Sequence, residues 1–175
     1  MGFFADYLRK PRLIGAVAPS SRFLCERMLK PIDFSNSRTI VELGAGTGAF
    51  TRIILKRMRK DARLVVFEIH KPFVKKLKTI KDTRLKVISK PAQHLSSHVA
   101  NADAIVSGLP LMAFPEQAVK KIISEAKAAL KPNGVFVQFQ YALKSRKFLK
   151  QNFSRVMIDF TPLNIPPAFV YVCRK

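Results

Sequence analysis

The sequence predicts an α/β fold, a doubly wound and mostly parallel seven-stranded sheet with helices on both faces. Three observations predict it. Strand-type and helix-type patterns alternate along most of the 175 residues, which in one compact chain sets the strands side by side and parallel. A turn carrying Gly44, Gly46 and Gly48 joins the first strand to the helix after it. The last two strand patterns follow each other with no long helix between them, which calls for an antiparallel hairpin at one edge of the sheet.

Each element has a local reason. In residues 2–13, GFFADYLRKPRL, Phe3, Phe4, Tyr7 and Leu8 fall at i, i+1, i+4 and i+5, with Arg9, Lys10 and Arg12 following. That is an amphipathic basic helix, suited to cap the core, to lie on a membrane interface, or to do both. Ser20 or Ser21 is a good N-cap for a second helix running to Leu29. Strands are expected near 38–43, 63–69, 84–88, 103–107, 134–141, 153–160 and 168–173. Helices are expected near 47–60, 71–81, 92–100 and 115–130, with a shorter one near 144–151. The second of these puts Phe73, Leu77 and Ile80 on one face with lysines opposite, the spacing of a helix packed on a sheet. There are no internal repeats or linkers, and 48% hydrophobic residues suffice for a core. One domain over residues 1–175 is expected, with N-terminal helices in 1–30 on a core of 31–175.

Lysine and arginine number 32 against 11 acids, so 32 − 11 gives a net charge of +21. Such an excess points to a polyanionic partner, a nucleic acid or an anionic membrane surface. The basic residues spread over several helices: Arg52, Lys56, Arg57, Arg59 and Lys60, then Lys71, Lys75, Lys76, Lys78 and Lys81, then Lys144, Arg146, Lys147 and Lys150. A single nucleic-acid groove concentrates charge in one stripe, whereas this spread suits broad attraction to a surface. The longest stretch without a charged residue, 160–173, holds 14 residues and three prolines, too short for the roughly 20 apolar residues of a membrane span. The N-terminus lacks the apolar region of a signal peptide, and a cytoplasmic location at the inner face of a membrane is expected. Cys25 and Cys173 lie far apart, form no metal pattern and are expected to be buried, reduced thiols.

The most informative stretch is residues 41–50, VELGAGTGAF. Glycines permit positive φ and close approach of a ligand, and a helix N-terminus presents free amide donors. The following strand ends with Glu68, 20 residues after Gly48. In dinucleotide-type folds an acid at about that offset accepts hydrogen bonds from a ribose. A nicotinamide cofactor and S-adenosylmethionine both carry a ribose, and the acid two residues before the first glycine, Glu42, separates them. With it, VELGAGTG resembles motif I of class I S-adenosylmethionine-dependent methyltransferases, a Rossmann-like family. The resemblance implies a cofactor site built from Glu42, Gly44, Ala45, Gly46, Thr47 and Gly48, from Glu68 and Ile69, from Ala92 and Gln93, and from Ser107.

Residues 107–115, SGLPLMAFP, follow the fourth strand and should lie over the transferred methyl group. Enzymes that methylate the amine of adenine carry Asn-Leu-Pro-Tyr or Asn-Pro-Pro-Tyr there. This chain has Gly108, Leu109, Pro110 and Leu111, so neither the amide nor the stacking ring for a flipped base is present. Together with RLIGAVAPSS at 12–21 and NIPPAFV at 164–170, these strings resemble the bacterial phospholipid N-methyltransferases of the soluble, peripheral-membrane type, which convert phosphatidylethanolamine stepwise towards phosphatidylcholine. That likeness covers nearly the whole chain. It implies methylation of a lipid amine at an anionic membrane; methyl transfer from a sulfonium is an in-line displacement and requires no metal. One departure stands out: the family tends to carry an acid before the alanine at 92, where this chain has Lys90 and Pro91, so adenine recognition falls to backbone groups and Gln93.

Tyr141 and Tyr7 are candidates to orient the amine and to hold its methylated cation by cation–π attraction. Leu109 and Pro110 frame the methyl-transfer position. Arg12 is a candidate phosphate clamp, beside Ser20 and Ser21 as substrate contacts. His70 is placed to cap the helix after Glu68, and His94 with His98 at i, i+4 read as helix surface rather than as a base. The competing readings are a nucleic-acid adenine N-methyltransferase, favoured by the charge, and a non-catalytic module that binds polyanions.

Overall fold

The computed structural model describes residues 21–175, so the N-terminal helix expected near residues 2–13, with Tyr7, Arg12 and Ser20, lies outside the described residues. Seven strands form one sheet: β1 (Thr39–Leu43), β2 (Arg63–Phe67), β3 (Leu85–Ile88), β4 (Ala102–Ser107), β5 (Leu130–Gln140), β6 (Arg155–Thr161) and β7 (Ala168–Arg174). Their order is β3-β2-β1-β4-β5-β7-β6. The first five are parallel, and β7 runs antiparallel to both β5 and β6. All five residues of β1 are buried, as a central strand covered on both faces requires.

The helices are α1 (Arg22–Leu29), α2 (Ala49–Arg57), α3 (Lys71–Lys78), α4 (Glu116–Ala129) and α5 (Arg146–Asn152). Successive strand residues point to opposite faces, and the core divides accordingly. Leu24, Met28, Ile54 and Leu77 of α1, α2 and α3 pack on Ile40, Leu64 and Val66. On the other face Ile122, Ile123 and Leu149 of α4 and α5 pack on Val41, Phe67, Ile105 and Phe136. Both cysteines are buried thiols and neither forms a disulfide. No helix among the described residues is long and apolar enough to cross a membrane.

The alternation of elements stands as read, with local departures that have causes. The helix expected at 92–100 is a 3-10 turn at Ala92–His94. The Glu125 carboxylate takes both the amide of Ser96 at 2.8 Å and its hydroxyl at 2.5 Å, which diverts the chain from a helical path. His94 and His98 are nonetheless exposed. On α3 the buried side chains are Val74 and Leu77, while Phe73 is half-buried against the ring of His70. β5 begins four residues early because Leu130 already pairs with Ala102, and an irregularity before Val135 absorbs Pro132 and Asn133. α2 starts at Ala49, two residues late, because Gly48 adopts φ +83°, outside the helical region.

Chain connections leave β1 in one direction, to β2 and β3, and leave β4 in the other, to β5. The loops that follow β1 and β4 therefore stand side by side at the carboxyl edge with a crevice between the diverging connections, the usual ligand position of a doubly wound sheet.

Candidate functional site

The loop after β1 is built on three left-handed glycines, Gly44 (φ +71°), Gly46 (φ +53°) and Gly48 (φ +83°). They do different things. A Cβ on Gly44 would stand 2.7 Å from Cδ2 of Leu109, and one on Gly108 would stand 2.9 Å from the Gly44 carbonyl, so these two glycines let the β1 and β4 loops press together. A Cβ on Gly46 would meet no atom within 4 Å, so this side of the loop is open. Gly48 is backed by Arg52, whose guanidinium donates to the carbonyls of Thr47 at 2.9 Å and Gly48 at 3.0 Å. Arg52, counted among the surface charges from sequence, is a brace for the loop. Ala45 is buried, and its carbonyl accepts the amide of Gly48, while Thr47 is exposed.

Glu68 ties this loop to the end of β2. Its carboxylate accepts the amide of Gly46 at 2.9 Å and those of Ile69 and His70 at 2.8 Å each. These bonds fold the chain back and end β2 at Phe67. A carboxylate offers about four acceptor positions, so one remains, beside the open side of Gly46. His70 occupies the N-cap position of α3, yet its side chain makes no capping bond.

Glu42 is 1% exposed. One oxygen accepts the Thr51 hydroxyl at 2.5 Å, and the other, Oε1, is buried with no partner. Burial pushes this carboxyl up to about 7; the bond from Thr51 opposes the rise and the charge of Glu68 adds to it. A buried acceptor left unpaired beside the glycine loop is a group that a cationic donor can satisfy.

The loop after β4 is held from beneath. The Leu109 carbonyl accepts Nε2 of Gln138 at 2.9 Å and Nε2 of Gln140 at 3.3 Å. Ser107 is fully buried, and its hydroxyl accepts the Leu109 amide at 3.4 Å, so it shapes the turn from within. Pro110 leads into a 3-10 turn, Leu111–Ala113. Tyr141 follows β5 at the same edge, half-exposed, its ring 5.7 Å from that of Phe139. Burial raises its phenol above the ordinary value despite the opposing hydrogen bond with Asn164. It therefore stays protonated near neutral pH and serves as a hydrogen-bonding group, not a base. Ala92 is buried and Gln93 half-buried in the turn after β3. Ser21 caps α1, its hydroxyl accepting the Leu24 amide at 3.2 Å.

Two contributors went unread in the sequence. Gln138 shows there as a polar residue interrupting the apolar run VFVQF of a central strand, a signal that could have marked it. Asn164 lies in the β6–β7 turn, 4% exposed, accepting the Ser21 amide at 3.3 Å, donating to the Pro166 carbonyl at 2.7 Å and bonding Tyr141. It fastens the start of α1, the end of β5 and the hairpin to one another.

This arrangement of sheet, glycine loop and acid after β2 defines a class I methyltransferase. Residues 40–134 match the methyltransferase domain family, and the chain belongs to it. It is an S-adenosylmethionine-dependent methyltransferase of Rossmann-like fold. Among similar proteins is the ornithine lipid N-methyltransferase of Singulisphaera acidiphila, 32% identical over 180 residues, covering 98% of this chain and 94% of that one. Among solved structures, 1,6-didemethyltoxoflavin-N1-methyltransferase of Burkholderia thailandensis, with 1,6-didemethyltoxoflavin and S-adenosylhomocysteine bound, superposes with TM-score 0.78 at 15% identity over 98% of this chain and 85% of that one. The N-methyltransferase NodS of Bradyrhizobium japonicum, bound to S-adenosylhomocysteine, gives TM-score 0.73 at 16% identity, covering 88% of each chain. At these identities the structures establish the fold. The open face of Gly46 and the unpaired Glu42 Oε1 fit S-adenosylmethionine, a cofactor with a ribose and an ammonium to place.

Proposed function

We propose that this protein methylates the amine nitrogen of a membrane-lipid head group, working from the cytoplasmic face of the bilayer as a peripheral enzyme. The observation that carries the reading is the 32% identity to an ornithine lipid N-methyltransferase along 98% of the chain. The resemblance of residues 12–21, 107–111 and 164–170 to phospholipid N-methyltransferases adds phosphatidylethanolamine as an acceptor of the same chemistry, an amine on a lipid.

S-adenosylmethionine supplies an electrophilic methyl group on a sulfonium. The chain's part is to bind, to align and to exclude water. Glu68 and Ile69 take the ribose side, Glu42 Oε1 the ammonium, residues 44–48 the backbone of the loop, Ser107 the turn beneath, and Ala92 with Gln93 the adenine. Leu109 and Pro110 wall the position of the transferred methyl. The acceptor amine, with a pKa near 10, reacts only once neutral. Tyr141, kept protonated, orients it by hydrogen bonding and holds the methylated cation on its ring. Tyr7, Arg12, Ser20 and Ser21 remain the head-group contacts that the resemblance implies, the first three outside the described residues.

The test offers radiolabelled S-adenosylmethionine with vesicles of phosphatidylethanolamine, vesicles containing ornithine lipid, and ribosomal RNA. Label is expected in lipid. Label in RNA and none in either lipid would establish the nucleic-acid reading, and tight binding of polyanions with no label anywhere the non-catalytic one.

A further inference from the structure

Three segments run along the sheet to its carboxyl edge: 104–115 within and after β4, 134–143 along and after β5, and 160–173 around the β6–β7 turn. None contains a charged residue, in a chain whose net charge is +21. At their tips the apolar side chains point outward. Ile165 is 88% exposed and Leu163 61%, with Met112 and Leu143 each at 44%. Phe23, in the first turn of α1 next to the Ser21–Asn164 bond, and Phe160, at the end of β6, extend the surface. Among the described residues, Met157 is the one exposed large apolar side chain away from this edge. Scattered exposed apolar residues need no explanation, but a contiguous set at the mouth of an active site marks an interaction surface.

The charges around the rim specify the partner. Arg22 stands beside Phe23, and Arg146 and Lys147 begin α5 directly behind Leu143, all three exposed. The nearby acids are engaged, Asp159 by Arg27 and Glu116 by Lys120. An uncharged, protruding apolar tip within a basic collar matches a bilayer with anionic head groups, whose interior takes the side chains and whose surface takes the charge. A phosphate backbone finds no donor across such a tip.

We propose that the β6–β7 turn, with the 111–113 and 143–145 turns beside it, docks on an anionic bilayer and inserts Leu163 and Ile165 into the interface. This rests on the lipid-amine reading and adds the orientation: the crevice opens at the inserted edge, so a head group reaches Tyr141 without leaving the membrane.

The chain contains no tryptophan, so single replacements report on their own site. Leu163→Trp and Ile165→Trp should shift to the blue and be quenched by bromine-labelled acyl chains when the full chain meets vesicles rich in phosphatidylglycerol. Met157→Trp should not respond. The pair Leu163→Ser and Ile165→Ser should bind those vesicles about 10-fold or more weakly, with affinity for S-adenosylmethionine and thermal stability unchanged. The surface is refuted if both tryptophans stay silent, if they shift with rising protein concentration in the absence of lipid, as a second copy of the chain would cause, or if the double serine variant methylates vesicle-borne lipid at the normal rate. That last result leaves the lipid-amine reading intact. Tryptophan insertion with no methyl reaching any lipid does the opposite, sustaining the surface while removing the substrate.

Discussion

At the amino edge of the sheet Asp103 accepts the amides of Arg38 and Thr39, each at 2.8 Å, and pairs with Lys131. At the carboxyl edge Glu42 has one oxygen on Thr51 and nothing on the other. The contrast holds beyond these two. Asp61 is matched by Arg59, and Asp82 by Arg84, in the turns leading into β2 and β3. Among the described residues, the buried side-chain atoms without a partner, Glu42 Oε1, His70 Nδ1, Gln138 Oε1 and Thr161 Oγ1, all stand in the carboxyl half, near strand ends or just beyond them. Buried polar groups are ordinarily satisfied because an unpaired one costs about 1–3 kcal/mol. One edge is saturated and holds the fold, and the other keeps open valences where ligands sit.

The sharpest way to break this comparison is Glu68→Ala. The carboxylate both organises the loop through three amides and retains one acceptor, and hydrogen bonds to charged groups contribute about 1.5–3 kcal/mol each. S-adenosylmethionine affinity should fall roughly 100-fold or more by calorimetry. Unchanged affinity would take Glu68 out of the site. Asp103→Ala tests the other edge: about 1–3 kcal/mol of stability should disappear with the amides of Arg38 and Thr39 left without their acceptor, while cofactor affinity stays within about twofold. The glycine pair divides the loop itself. Gly44→Ala drives a Cβ to 2.7 Å from Leu109 and should lower both stability and binding. Gly46→Ala places its Cβ in open space, so stability should fall only by the roughly 1 kcal/mol of a left-handed backbone while binding drops more steeply. Equal losses in the two variants would dissolve the distinction.

What the sequence discloses follows the same division. Residues 41–50 are legible because positive φ requires glycine at 44, 46 and 48, and Glu68 because the strand and helix lengths of a parallel unit fix its offset. Ser21 is legible as a cap from its chemistry. The role of Gln138 and Gln140 under Leu109 is not legible, since register across β4 and β5 sets it and no local pattern reports register. Asn164 joins Ser21 across 143 positions, which only the folded chain brings together. The helix misplaced at 92–100 shows the converse, a passable local pattern overridden by the long-range bond to Glu125.

Glu42→Gln gives the most specific effect, because it is read in the pH dependence of stability alone. Burial raises the folded carboxyl from 4.5 to about 7, so the folded chain holds this proton more tightly than the unfolded chain. The contribution is fully present below pH 4.5 and is lost as pH rises through about 7. Without cofactor, the thermal midpoint of the wild type should therefore decline between pH 5 and pH 8 relative to the glutamine variant, which keeps an acceptor for Thr51 and cannot ionise. The amino-edge acids stay out of this window. Asp61, Asp82 and Asp103 are all held below their ordinary values by their basic partners or backbone amides, so their contributions vanish only in acid. Saturating S-adenosylmethionine should flatten the decline by placing an ammonium against Oε1, and it should do so only in the wild type. Parallel pH profiles for the two proteins, with and without cofactor, would mean that the unpaired oxygen is no part of the binding site.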